Sequence, residues 1–443
     1  MDKQNINNST QNNYAMTLAD YEKSRLMAIL EGISARIIFG LTTGAFLTGY
    51  LKFLGADDDL CGQIAAIPTL AGIIQFFSPM FLEKLNRRKP LVTVGNALHR
   101  ILLVLMVIIP LLPVSMEIRL YITAGLYLFS HLMVNMVAPA TTTLLISLVP
   151  QNMRGRFFSI RERYLIFISS VINVIFGGIL DKYELRGKTY EGYILVFIIA
   201  FAATLLNLFS YISMKEPYVN QTNGKISVKH LFTMPLKEKR FRKIIILFFL
   251  WGLAVNFASP FFSVYMVSQL RLSYTFITVC GLVNSIVYVI TVSIWGKIAD
   301  KKSFTYTAMI SIALLGVTHS LWFFASEGTG LTNAVVMLGH ITSGIAWAGI
   351  GISLYNIPYE YTPEEGRTVY LGFNAALSGL IGFISSMAAS YMVGAMSGFK
   401  GIFIGLTVTQ FQLVFLISGI LILVTSAYIW LSIIKHDNQD NAA

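Results

Sequence analysis

From residue 26 onward the chain is written in long apolar runs, broken at nearly regular intervals by Gly, Pro or a cluster of charge, and not in the amphipathic stripes of a soluble helical protein. A helix needs about 20 residues to cross the hydrocarbon of a bilayer. Twelve runs reach that length, at 26–54, 60–82, 90–112, 119–149, 159–181, 191–214, 244–269, 274–298, 303–325, 332–360, 367–393 and 402–434. The pattern predicts an all-α membrane protein with twelve transmembrane helices joined mostly by short hairpins.

One connection is long. Lys215–Lys243 carries eight Lys or Arg against two acids, Glu216 and Glu238, and divides the chain into two sets of six helices. The expected organisation is a polar tail at 1–25, a six-helix bundle at 26–214, a basic linker at 215–243, a second bundle at 244–434 and a tail at 435–443. The first residues are Asn-rich and polar, with no signal-peptide pattern, and read as a retained tail.

Composition sharpens this. Of 443 residues 55% are hydrophobic and only 12% charged, about half the charge that a water-soluble surface carries. The net charge of +11 comes from short basic clusters between apolar runs, which orient a membrane protein and do not form a nucleic-acid-binding face. With the N-terminus inside, 24 Lys and Arg fall in or beside cytoplasmic segments and 6 outside, which predicts a plasma-membrane protein with both termini in the cytoplasm. Cys61 and Cys280 belong to no Cys/His cluster, so neither a disulfide framework nor a metal site is expected.

Punctuation at a near-constant offset suggests an internal repeat. Pro79-Met-Phe-Leu-Glu83-Lys84, followed by Arg87-Arg88-Lys89, closes the second run; Gly296-Lys-Ile-Ala-Asp300-Lys301-Lys302 closes the eighth. Pro150-Gln-Asn-Met-Arg154 follows the fourth run and Pro363-Glu-Glu-Gly-Arg367 the tenth. Both halves start inside and contain an even number of spans, so they are parallel repeats. These features resemble the major facilitator superfamily, whose loop after the second helix carries a Gly-x-x-x-Asp-Arg/Lys-x-Gly-Arg-Arg/Lys signature with a weaker copy after the eighth. Gly296, Asp300, Lys301 and Lys302 match the second copy; Pro79 and Glu83 depart from the first. The resemblance covers residues 26–434 and implies a central cavity between the halves and transport by alternating access.

It also implies roles. Glu83 and Asp300 become gate acids, with Arg154 and Arg367 as partners; the competing reading is four ordinary loop charges. Arg36 lies about ten residues into the first run, where an intramembrane charge needs a cavity or a partner. It is either a substrate anchor or part of an ion pair in which Glu31 meets Arg100 or Arg36. His99 and Arg100 read as structural. His131 and Asn135 share a helix face four residues apart, and Asn256, His340, Ser343 and Trp347 are candidates from the second half. At Asn256-Phe-Ala-Ser259-Pro260 the proline frees a backbone carbonyl that either lines a cavity or only kinks the helix. Tyr355 to Tyr361 gathers aromatics near a membrane face and reads chiefly as an interface anchor. A coupling proton would be carried by Glu31, His131, His340 or Glu360.

No nucleotide-binding loop and no paired-carboxylate, His-Glu-x-x-His or Ser/His arrangement is present, so an enzyme is not expected and no cofactor is implied. The expected protein is a monomeric secondary transporter, or symporter, for a small polar solute, an anion or a sugar among the options, coupled to protons or sodium. Efflux of amphipathic compounds, and a non-transporting sensor or channel, are the competing functions.

Overall fold

The computed structural model describes residues 16–78, 87–217, 228–354, 356–362, 367–403 and 405–435, with the backbone alone at 228–232, 367 and 368. It is helical almost throughout. Eleven described helices are long and apolar enough to cross a bilayer, and a bent pair at the start supplies a twelfth span. The chain is an all-α membrane protein of twelve spans, as the periodicity predicts.

That first span is α1 (Leu18–Thr42) and α2 (Gly44–Phe53). A capping box opens α1 ahead of the apolar run: the Asp20 amide donates to Thr17 Oγ1 at 3.2 Å and the Thr17 amide to Asp20 Oδ2 at 3.1 Å. The helix breaks where Thr43 turns extended and Gly44 takes φ +57°, a conformation that costs glycine little and other residues more. Next come α3 (Asp58–Ala71) and α4 (Lys89–Val104), each ending in a 3₁₀ segment, at Gly72–Phe76 and Leu105–Leu111. Pro68 within α3 and Pro110 near the end of α4 each withhold a backbone donor there. Three long helices follow, α5 (Met116–Ser147), α6 (Arg154–Glu184) and α7 (Thr189–Ser213).

The basic connection contains a ten-residue helix, α8 (Val228–Lys237), which the absence of an apolar run concealed. Beyond it lie α9 (Lys239–Ala258), the short α10 (Phe261–Val264) with a π turn at Tyr265–Gln269, α11 (Tyr274–Lys301), α12 (Phe304–Leu321), α13 (Thr332–Ser353), the short α14 (Ile357–Glu360), α15 (Arg367–Ala395) and α16 (Gln410–Tyr428). The last span is shorter than the 402–434 expected. Residues 401–403 and 406–408 pair as antiparallel strands β1 and β2, in the register Gly401↔Val408, Ile402↔Thr407, Phe403↔Leu406. Gly405, at φ +78°, makes the reversal, and the apolar run hid it because strand and helix share the same residues over so short a length.

Packing gathers the described chain into two units, one of residues 16–43 and 74–217, the other of 44–73 and 228–435. The first is built on α1, α4, α5, α6 and α7, with Met27, Val92, Leu144, Leu148 and Tyr211 in its core. In the second, Phe241, Trp251, Ile312, Ile350 and Ile422 bring α9, α12, α13 and α16 together.

Candidate functional site

The interior of the first unit holds a cluster of full charges. Glu31 of α1 accepts from Arg161 Nη2 of α6 at 3.0 Å and from the Tyr211 hydroxyl of α7 at 3.0 Å, and Arg100 Nη2 of α4 lies 3.7 Å away. Arg100 donates at 2.9 Å to both the carbonyl and the side chain of Asn96, and Arg161 Nε donates to the Ala28 carbonyl at 3.0 Å. Asn207 closes the ring, donating to the Glu31 carbonyl and to Ser34 Oγ at 3.0 Å each. Gly32 admits the Arg161 guanidinium, which a Cβ there would meet at 2.4 Å. A buried carboxylate this heavily bonded ties four helices together; removing it would strand two guanidinium charges in a low dielectric. Arg161 escaped the sequence reading because it sits among the basic residues of a loop end.

His131 belongs to an aromatic contact in the same unit. Its ring packs edge-on against Tyr127 (4.5 Å between centroids) and His99 (5.2 Å), and its Nε2 is buried with no partner among the described residues. His99 Nδ1 contacts Ser130 Oγ at 2.6 Å while Ser130 Oγ donates to the His99 carbonyl at 2.9 Å, locking α4 to α5. Asn135 donates to the His131 carbonyl at 2.8 Å and accepts from Gln75. Arg36 faces away from Glu31, is exposed, and has no ion pair or hydrogen bond among the described residues.

The second unit contains a cavity of about 500 Å³, within the range of small-molecule sites. Trp251 and Asn256 of α9, Trp347 of α13, Tyr359 of α14, and Asn374 and Ser378 of α15 line it. Trp251 and Trp347 meet edge to face at 5.8 Å and 73°. No Asp, Glu, Lys or Arg is among the described lining residues. Asn374 is 2% exposed and its Oδ1 has no hydrogen-bond partner among the described residues. A buried acceptor left unbonded costs about 1–3 kcal/mol, so this oxygen is set to receive a donor.

Local sequence explains the wall. Pro260 has no N–H for the carbonyl four residues back, that of Asn256, and Ser386 Oγ of α15 donates to that carbonyl at 2.8 Å. The freed carbonyl is therefore hydrogen-bonded inside the protein. Ser385 Oγ donates to the Leu253 carbonyl at 2.6 Å. Close approach continues at Gly382, where a Cβ would stand 2.6 Å from Asn256 Nδ2.

Of the second-half candidates, Asn256 and Trp347 reach the cavity; His340 and Ser343 are not among its lining. His340 Nδ1 lies 3.0 Å from the Val336 carbonyl, and its own carbonyl accepts from Asn284 at 2.8 Å. Arg154 Nε donates to the Val149 carbonyl at 3.1 Å. Asp300 is exposed near the end of α11 and Glu360 is exposed on α14. Glu83 and the side chain of Arg367 lie outside the described residues. Trp251, Asn374 and Ser378 were missed. A helical wheel of α15 would have found the last two, which share one face with Leu371 and Ala375 at spacings of three and four.

A multi-span helical chain with a cavity of metabolite size is built like a solute carrier. The chain belongs to the Major Facilitator Superfamily, whose sequence profile matches residues 28–386. Its fold is similar to that of a mutant of the nucleoside transporter NupG (TM-score 0.69, 13% identity, 92% of this chain and 99% of that one). It is also similar to a D-xylose-proton symporter (0.68, 14%, 93% and 96%) and to a bacterial homologue of the iron transporter ferroportin in an inward-facing state (0.67, 15%, 94% and 99%). No curated protein matches the sequence.

Proposed function

We propose that the protein is a secondary active transporter for a small, uncharged, hydrogen-bonding solute with an apolar face, of the sugar or nucleoside kind, moved by alternating access. The observation that carries this is a cavity with no charged side chain among its described lining, walled by two tryptophans and by Asn374, whose buried Oδ1 has no hydrogen-bond partner among the described residues. Aromatic rings supply the apolar contact and the amides of Asn256 and Asn374 select hydroxyl and N–H groups. An anion would need a cation in the wall, so among the polar solutes the sequence allows, the lining favours a neutral one. Transport of a nucleoside and of D-xylose by proteins of similar fold supports the same class.

The coupling ion is a proton or sodium. Glu31 is held between Arg100 and Arg161, which leaves His131, His340 and Glu360 as the better proton carriers. The gate roles of Glu83, Asp300, Arg154 and Arg367 belong to the same reading; Arg36, His131 and Asn135 are not among the described lining of this cavity, and a substrate role for them belongs to the alternative of an anionic solute. The basic bias of alternate loops supports cytoplasmic termini.

The aromatic content of the wall, with Phe248 beside Trp251 and Trp347, favours efflux of amphipathic compounds as the second reading. Flux in proteoliposomes decides. Saturable, gradient-driven movement of a labelled pentose, hexose or nucleoside supports the proposal; movement of lipophilic cations alone supports the second reading, and unsaturable flux refutes both.

A further inference from the structure

The first unit has a second cavity, of about 580 Å³, with a different chemistry. It opens at the end of the unit where α4 starts and α7 finishes, and Arg87, Lys89, Thr93, Val94, Ile212 and Lys215 contribute to its wall. The two helices run antiparallel along their whole length, tied at this end by Lys89 Nζ, which donates to the carbonyls of Ile212 (2.8 Å) and Met214. At the other end the Tyr190 hydroxyl donates to the Val107 carbonyl at 2.9 Å.

Charge at the cavity is one-sided. Arg87, Lys89 and Lys215 face one carboxylate, Glu216, whose Oε1 is occupied by the amides of Arg88 (2.8 Å) and Lys89 (3.2 Å). Lys215 is held at 2.9 Å by Asp20, and the adjacent Arg88 adds a further cation whose buried Nε has no hydrogen-bond partner among the described residues. Counting Asp20 and Arg88, four cations stand against two carboxylates among the described residues. The Thr93 hydroxyl is likewise buried and unbonded among the described residues. Apolar surface continues from the basic end: Val94, Leu98, Ile101, Leu105 and Ile108 line the exposed face of α4, with Ile212 and Phe209 beside them on α7.

We propose that this cavity is a binding site for an anionic phospholipid, the headgroup phosphate lying against Arg87, Lys89 and Lys215 and an acyl chain following the exposed face of α4. A soluble anion would use the cations but not the apolar strip; a zwitterionic lipid would use the strip but gain little from the excess positive charge. Such a cation near a membrane surface is worth roughly a five-fold change in affinity for an anionic lipid.

The test is thermal unfolding of the detergent-purified full chain titrated with phosphatidylglycerol, phosphatidylcholine or inorganic phosphate. The expected result is saturable stabilisation by phosphatidylglycerol alone, weakened about five-fold in Arg87→Gln and unchanged in Arg186→Gln at the opposite end of the unit. Val94→Trp, which fills the groove and leaves the charge intact, should also weaken it, so a folding defect in one variant does not decide the matter. Equal stabilisation by both lipids, a weakening in Arg186→Gln as large as that in Arg87→Gln, or full competition by inorganic phosphate would overturn the proposal.

Discussion

Replacing Glu31 by Gln keeps the shape of the side chain and removes the one buried carboxylate that Arg100 and Arg161 share; Arg161 keeps the half-exposed Glu162 at 3.4 Å. Among the buried groups one carboxylate faces two guanidiniums, an excess of one positive charge with the half-exposed Glu162 at its edge; Glu31→Gln raises the buried excess to two, whereas Arg161→Met lowers it to zero. The Glu31 and Arg100 side chains are each 5% exposed and that of Arg161 is 11%, so water screens the stranded charges poorly. Removing one partner of a buried pair costs about 3–5 kcal/mol. At about 2–4 °C per kcal/mol for a domain of this size, the unfolding midpoint should fall by roughly 6–20 °C. Arg161→Met leaves Glu31 its contacts with Arg100 and Tyr211 and should cost clearly less. Unfolding followed by differential scanning fluorimetry in detergent measures both. An unchanged midpoint in Glu31→Gln, or a larger loss in Arg161→Met, would refute the view that Glu31 neutralises the cluster; an unchanged midpoint with lost proton dependence of transport would make it a coupling acid.

Ser386→Ala removes the donor that replaces the missing Pro260 amide at the Asn256 carbonyl and should destabilise by about 1–3 kcal/mol, seen as a lower midpoint than that of Ser343→Ala. Gly382→Leu drives a side chain into Asn256 and should abolish ligand-induced stabilisation even where folded protein is recovered by size-exclusion chromatography. Asp300→Asn should slow solute exchange in proteoliposomes while leaving binding within a few fold; lost affinity at normal turnover would count against its role as a gate acid.

The span pattern was legible because bilayer thickness imposes a length that the chain writes out in apolar runs. The breaks were less so. Thr43–Gly44 and the 401–408 hairpin lie inside apolar stretches, where a positive-φ glycine changes direction without changing composition. Asn256 and Trp347 could be picked out as polar or amphipathic groups within spans, but their neighbours Trp251 and Asn374 needed the packing of α9, α13 and α15 to identify them. Glu31 and Arg100 suggested a pair on depth alone; the third member, Arg161, stands 130 residues from Glu31, a separation that no local pattern spans. His131 had the composition of a binding residue; its ring packs against His99 and Tyr127, a contact visible only once α4 and α5 are brought together.

The most direct test of the proposed substrate class is the stabilisation of purified protein by pentoses, hexoses, nucleosides, sugar acids and lipophilic cations, run beside Asn374→Leu, Trp347→Ala and Arg36→Ala. A ligand at 100 times its Kd adds about 2.7 kcal/mol to the folded state, a rise of roughly 5–10 °C at this size. The account predicts that a neutral sugar or nucleoside raises the midpoint of the wild type and of Arg36→Ala, and that both cavity variants lose the response. Stabilisation by anions alone, lost in Arg36→Ala and retained in both cavity variants, would contradict it.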